Sequence, residues 1–316
     1  MRPAGVWERP FVSAFTAAMA AVEWRLVELK QGEYEWTLQD EQIAFAERNR
    51  LVAVAGPLLD LGPGGFPEWL WNWAHDFYAL QSFVADFVET AVARYAGRVR
   101  LWELTSRANT GGGLGLDEEH RLALAARAVE VARQADDELQ ISMRIERPWG
   151  DYQSEGRHRL SPIQFADALI RSGVGLTGLT LEIANGYRPG GAHLRDSFEL
   201  SRLIDLWSSL GLPLTIRLAF PSQSRPDPNA ENLTVDEPQW NAPWGEPAQA
   251  QWLSEVLPLL MAKHSIIGIE WAHFTDAVPH RFPHAGLTRS DGSAKPALER
   301  LTRFRQSYWR RERDAG

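Results

Sequence analysis

Three glutamates stand at or near the ends of short apolar runs. Glu146 follows Leu139-Gln140-Ile141-Ser142-Met143-Arg144-Ile145, Glu182 sits in Leu179-Thr180-Leu181-Glu182-Ile183, and Glu270 follows Ser265-Ile266-Ile267-Gly268-Ile269. Runs of this length and β-branched content read as buried strands. Two carboxylates in different surroundings can divide acid and base roles, because burial keeps one protonated while a polar setting leaves the other ionised. Strict alternation along four runs sorts the side chains by face. Glu103, Thr105 and Arg107 fall on one face of theirs, as do Ser142, Arg144 and Glu146, then Thr180, Glu182 and Ala184, then Thr215, Arg217 and Ala219. An acid among aliphatic neighbours must be paired or functional, since an unpaired buried charge is costly. Glu182 leads on this count, Glu270 is its expected partner, Glu146 comes next and Asp60 third. Glu103 lies deeper along its strand and reads as structural. Arg107, Arg144 and Arg217 converge on the same end, and their planar forks match carboxylates and sulfates.

The elements that must hold these groups alternate strand and helix, the βαβα pattern of a parallel sheet. Candidate strands are Phe11–Phe15, Ala21–Arg25, Leu51–Leu58, Val99–Thr105, Leu139–Glu146, Leu179–Ile183, Pro213–Ala219 and the run ending in Glu270. Helices are expected over Leu38–Asn49, Leu80–Tyr95, from Asp117, from Ser161-Pro162 with Ser as N-cap, over Asp196–Leu210, and from Ala294. The expected fold is a single (β/α)₈ TIM barrel covering residues 1–316, with its site at the C-terminal ends of the strands.

Composition narrows the function classes. The chain has 316 residues, no Cys and a net charge of −8. Such a core needs no disulfide or metal staple, and thiolate chemistry is excluded. The acidic balance argues against a nucleic-acid partner. No apolar run of 18 residues exists to span a membrane, and no basic segment leads into an apolar core as in a signal peptide. Gly111-Gly112-Gly113 beside Asn109 lacks the ending of a phosphate loop. His273, His280 and His284 lack zinc-type spacing, so they are expected to lock loops or donate hydrogen bonds, with no metal or cofactor.

The stretch from Trp271 through Asp276 to Lys295-Pro296-Ala297 resembles the last strand and following helix of the family-ten xylanases, retaining glycoside hydrolases. Gly32-Glu33-Tyr34-Glu35-Trp36, Asp40, Phe45-Ala46, Gly56-Pro57-Leu58, Pro67-Glu68-Trp69-Leu70, Thr177-Gly178-Leu179 and Leu210-Gly211-Leu212-Pro213 extend the resemblance in order over nearly the whole chain. It implies a carbohydrate partner and a sugar cleft, whose expected substrate-binding residues are Asp60, Arg107, Asn109, Arg144, Trp149, Tyr187, Arg217, Trp271, His273, Asp276 and His284. The family's catalytic glutamates are not retained. Ser106-Arg107 stands where the family ends strand four in Asn-Glu, and Thr215-Ile216-Arg217-Leu218 replaces the nucleophile strand. The resemblance therefore implies the fold, and any hydrolysis would need Glu182 with Glu270 or Glu146. Their separation would set the outcome, roughly 5–5.5 Å for retention and roughly 6.5–9.5 Å for inversion. The arginines suggest an anionic sugar, uronic or sulfated. The alternative is a non-catalytic barrel that binds glycans. In the last strand, polar alternation turns Glu270 inward, whereas the resemblance turns Trp271 inward.

Overall fold

A computed structural model describes residues 7–156, 158–189, 191, 194–231, 233–237 and 243–315. The chain opens with helix α1 (Glu8–Ala14), strand β1 (Ala17–Ala20), α2 (Trp24–Val27) and α3 (Thr37–Arg48). Then come the interrupted strand β2 (Val52–Ala55) and β3 (Leu59–Asp60), α4 (Phe77–Arg94), β4 (Leu101–Ser106), α5 (Glu118–Ala135) and β5 (Gln140–Glu146). α6 (Pro162–Arg171), β6 (Gly178–Ala184), the short β7 (Tyr187–Arg188), α7 (Ser197–Ser208) and β8 (Leu214–Ala219) follow. The short β9 (Thr234–Val235), α8 (Glu246–Met261), β10 (Ile266–Trp271) and α9 (Pro296–Ala315) complete it. Strands β1, β2, β4, β5, β6, β8 and β10 pair side by side in that order, with β3 continuing β2 against β4. Every rung of this sheet is parallel, and the helices alternate with its strands as in a (β/α)₈ barrel.

The helix starts follow local chemistry. Ser161 accepts from Gln164 N while Gln164 returns a bond to Ser161 N, a complete capping box with Pro162 in the first turn. Asp76, Asp117 and Asp196 cap α4, α5 and α7 by accepting from the backbone N–H of Ala79, His120 and Glu199. The outward side chains of the middle strands are apolar and buried: Trp102 and Leu104, then Ile141, Met143 and Ile145, then Leu179, Leu181 and Ile183. Gly56, at φ +131°, allows the bend between β2 and β3, because a Cβ there would lie 2.1 Å from the Glu103 carbonyl oxygen.

The first sector differs from expectation. Phe11 to Ala14 is helix, Ala21–Glu23 is irregular, and Trp24 and Arg25 open α2. The strand between them is Ala17-Ala18-Met19-Ala20, whose small side chains carry no polar–apolar alternation. Phe11 and Phe15 lie one turn apart, with ring centroids separated by 4.9 Å. Both pack edge-on against Phe274, at 5.2 and 6.2 Å. Among the described residues no ladder joins β1 to β10, and α1 stands in that sector, its end tied to α9 by Arg305 donating to Phe15 O at 2.7 Å.

Candidate functional site

The inward face of the sheet carries charge in register. Glu146 lies opposite Glu182, Glu182 opposite Arg217, and Arg217 opposite Glu270. Polar alternation therefore sets β10 as well. Glu270 meets Arg217 at 3.3 Å, while Trp271 packs against Trp252 of α8 and donates its indole N–H to Ala285 O at 2.7 Å.

These charges close on one another. Arg144 ion-pairs with Glu103 and lies 3.9 Å from Glu182. Arg217 approaches Glu182 at 3.5 Å and donates to Ala272 O at 2.9 Å. Arg281, from the loop after β10, donates to both Glu146 oxygens at 2.5 and 3.1 Å and to Glu182 at 3.4 Å. Thr110 donates a further bond to Glu146 at 3.0 Å. Arg107 forms a two-pronged pair with Asp60, and its guanidinium occupies the space that a side chain at position 62 would fill, so Gly62 stands there.

Electrostatics separate the acids. Burial pushes the Glu182 carboxyl up, and the neighbouring Glu146 charge adds to this against the pull of Arg281, Arg144 and Arg217. Burial also raises Glu103 despite Arg144. Glu146 stays below the ordinary carboxylate range because the attraction and hydrogen bonds of Arg281 outweigh its burial. Burial, with the Arg144 charge, lowers Arg217. Glu103, Glu146 and Glu182 are sealed, whereas the Glu270 side chain is 25% exposed.

Above this lattice opens a cleft of about 410 Å³, lined among others by Asp60, Arg144, Arg217, Glu270, Trp271 and Arg281. Glu146 and Glu182 are not part of its lining. Asn109 is fully buried. Its amide donates to Glu146 O at 2.8 Å and its carbonyl accepts from Glu146 N at 3.2 Å, fixing the strand end. Tyr187 is buried against Phe282, and Trp149 has the Arg195 guanidinium over its ring at 5.1 Å.

His273 lines the cleft and stacks on His280 at 4.2 Å. Burial holds its imidazole neutral, down to about 4. Asp276 accepts from the Lys295 ammonium at 2.5 Å and from Gly286 N at 2.7 Å. His284 N donates to Asp227, and its ring contacts Gln223 and Arg225 O. His273, Asp276 and His280 bring possible ligand atoms within 4.8 Å of one another. Lys295 on Asp276 and Asp227 on His280, at 3.0 Å, already engage two of the three. The arrangement locks the loop and does not fit a cation.

Arg281 is the site residue that the sequence pattern does not mark. It lies outside the strands, so alternation gives it no face, and the histidines beside it draw the eye. The surplus of inward acids over inward arginines was the available signal.

The fold is shared with family-ten xylanases. An endo-1,4-beta-xylanase from Caldicellulosiruptor owensensis superposes with a TM-score of 0.69 at 17% identity, covering 95% of this chain and 93% of the other. Xylanase 10B from Thermotoga maritima gives 0.64 at 16% over 90% and 85%. Xylanase 10B from Thermotoga petrophila, in complex with xylobiose, gives 0.66 at 15% over 91% and 86%. No protein-family model and no curated protein sequence matches the chain.

Proposed function

We propose that this protein is a glycan-binding barrel that holds a sugar chain in the cleft above β5, β6, β8 and β10 without hydrolysing it. One observation carries the reading. At the two strand ends where the resemblance calls for glutamates stand Arg107 and Arg217, and each faces an acid, Asp60 and Glu270 respectively. A glycosidase needs two carboxylates flanking the bond, one able to give a proton and the other to attack or to activate water. Here Glu146 and Glu182 share Arg281 beneath the cleft floor and have no route to a substrate oxygen. The guanidiniums already face carboxylates, Arg107 on Asp60, Arg144 on Glu103 and Arg217 on Glu270, which favours a neutral sugar over a uronic or sulfated one.

Calorimetry with neutral, uronate and sulfated oligosaccharides, run beside a reducing-end assay on the same panel, tests this. Binding of a neutral sugar with no release of reducing ends is expected. Turnover would overturn it. One feature favours a second reading, glycoside hydrolysis: Glu270 is partly exposed and lines the cleft. On that reading Glu270→Gln abolishes turnover and leaves binding in place.

A further inference from the structure

A neutral imidazole carries one N–H and one bare lone pair, and the partner of one nitrogen decides what the other can do. The His273 ring is held in two ways. It stacks on His280 at an interplanar angle of 11°, and His280 is itself pinned between Val278 O at 2.8 Å and Asp227 at 3.0 Å. In the ring plane, Nε2 lies 3.3 Å from Asp276 Oδ1. Burial would raise the Asp276 carboxyl, but the His273 bond and the Lys295 ammonium outweigh it and hold it below the usual carboxylate range. Asp276 is therefore an acceptor, so Nε2 carries the proton of the ring and Nδ1 is left as a bare acceptor. Among the described residues nothing donates to Nδ1, and the side chain, 14% exposed, lines the cleft.

Glu270, three residues earlier, also keeps an open acceptor in the cleft lining. Arg217 donates to its Oε2 at 3.3 Å, and its Oε1 has no hydrogen-bond donor among the described residues. The guanidiniums of the lining, Arg144, Arg217 and Arg281, turn to carboxylates. From these two open acceptors we infer that His273 reads a hydroxyl of the ligand. The sugar donates one O–H to His273 Nδ1 and a second to Glu270 Oε1, so the cleft takes glycans whose hydroxyls there are unsubstituted. This rests on the cleft being a sugar site and names the chemical form of sugar that it selects. An O-acetylated or O-methylated position has no proton to give and sets an oxygen lone pair against another. Stacking on His280 and the bond to Asp276 orient the acceptor before the ligand arrives, so little further ordering is needed on binding.

Two substitutions separate ligand reading from loop support. A Gln side chain can reach Asp276 with its amide but leaves no acceptor where Nδ1 stood. An Asn side chain puts its carbonyl oxygen close to the Nδ1 position but is too short to reach Asp276. Calorimetry on the intact chain uses xylobiose, cellobiose and mannobiose, then deoxyfluoro analogues of the tightest binder, in which one hydroxyl at a time is replaced by a group of similar size that cannot donate. His273→Gln should weaken binding about tenfold, the worth of one hydrogen bond, and His273→Asn should recover most of that loss. One deoxyfluoro analogue should lose about tenfold on the wild type and nothing further on His273→Gln; another should lose on both proteins, through Glu270. Wild-type affinity in His273→Gln would overturn the inference and leave the sugar cleft standing. So would an Asn variant no better than the Gln variant, the mark of a merely structural histidine. Binding of none of the three disaccharides would sink the sugar reading and this inference together.

Discussion

Arg281 holds two sealed carboxylates at once, so its removal has a calculable consequence. Arg281→Met keeps much of the aliphatic stem and deletes the two bonds to Glu146 and the one to Glu182. Glu146 is left with the Thr110 hydroxyl, and Glu182 with Arg144 and Arg217 at 3.9 and 3.5 Å. Removing one partner of a buried pair costs about 3–5 kcal/mol, because the other charge stays buried and uncompensated. An unfolding entropy of about 2.1 cal/mol/K per residue, taken over this chain, amounts to roughly 0.7 kcal/mol/K. The expected fall in Tm at neutral pH is therefore about 4–7 °C. Scanning calorimetry of the wild type, Arg281→Met and the double variant Arg281→Met/Glu146→Gln measures it. The double variant should recover at least half of the loss, since it discharges the acid that the arginine had neutralised. Acid should shrink the deficit too, as Glu146 takes up a proton once its guanidinium is gone. A fall below about 2 °C, or a double variant no better than the single, would refute the buried-pair account.

Three further outcomes are expected. Lys295→Met strips the ammonium from Asp276, Ser222 and His284 O, and should cost about 3–5 kcal/mol by chemical denaturation; a loss under about 1 kcal/mol would mean that the loop is held elsewhere. His273 is depressed to about 4 in the fold against 6.5 unfolded, so the unfolded chain takes up its proton first as pH falls. Stability should drop between pH 6.5 and 4 by up to about 3 kcal/mol, and His273→Gln should flatten that part of the pH profile; parallel profiles would contradict the assignment. Gly56→Ala forces a methyl toward the Glu103 carbonyl at a φ of +131°, and a loss of at least about 2 kcal/mol is expected in urea melts.

Much of the inward lattice was legible because strands alternate strictly. Glu103, Arg144, Glu182 and Arg217 were placed on one face from spacing alone, and their mutual contacts put them there. Helix starts were equally readable, since Asp117 and Ser161 carry their capping chemistry locally. The first sector was not. Phe11, Val12 and Phe15 look β-prone in a short window, and what makes this stretch helical is tertiary: Phe11 and Phe15 find Phe45 and Phe274 on other elements. Loop contributions were hidden for a related reason. Nothing in the spacing of Arg281 shows that it folds back over β5 and β6.

The charge lattice itself bears on why acids and arginines occur together. A glutamate replaced by an arginine in a barrel mouth would, by itself, leave a buried cation and its old hydrogen-bonding partners unpaired. Arg217 avoids this because Glu270 and Glu182 flank it on the neighbouring strands, in register on both sides. Arg107 avoids it through Asp60, one strand away in the other direction. Each of these arginines thus comes with an adjacent acid. A carboxylate held in that way ties neighbouring strands together through the guanidinium it faces. On the proposed binding role, these same contacts are what keep Glu146 and Glu182 from serving as acid or nucleophile.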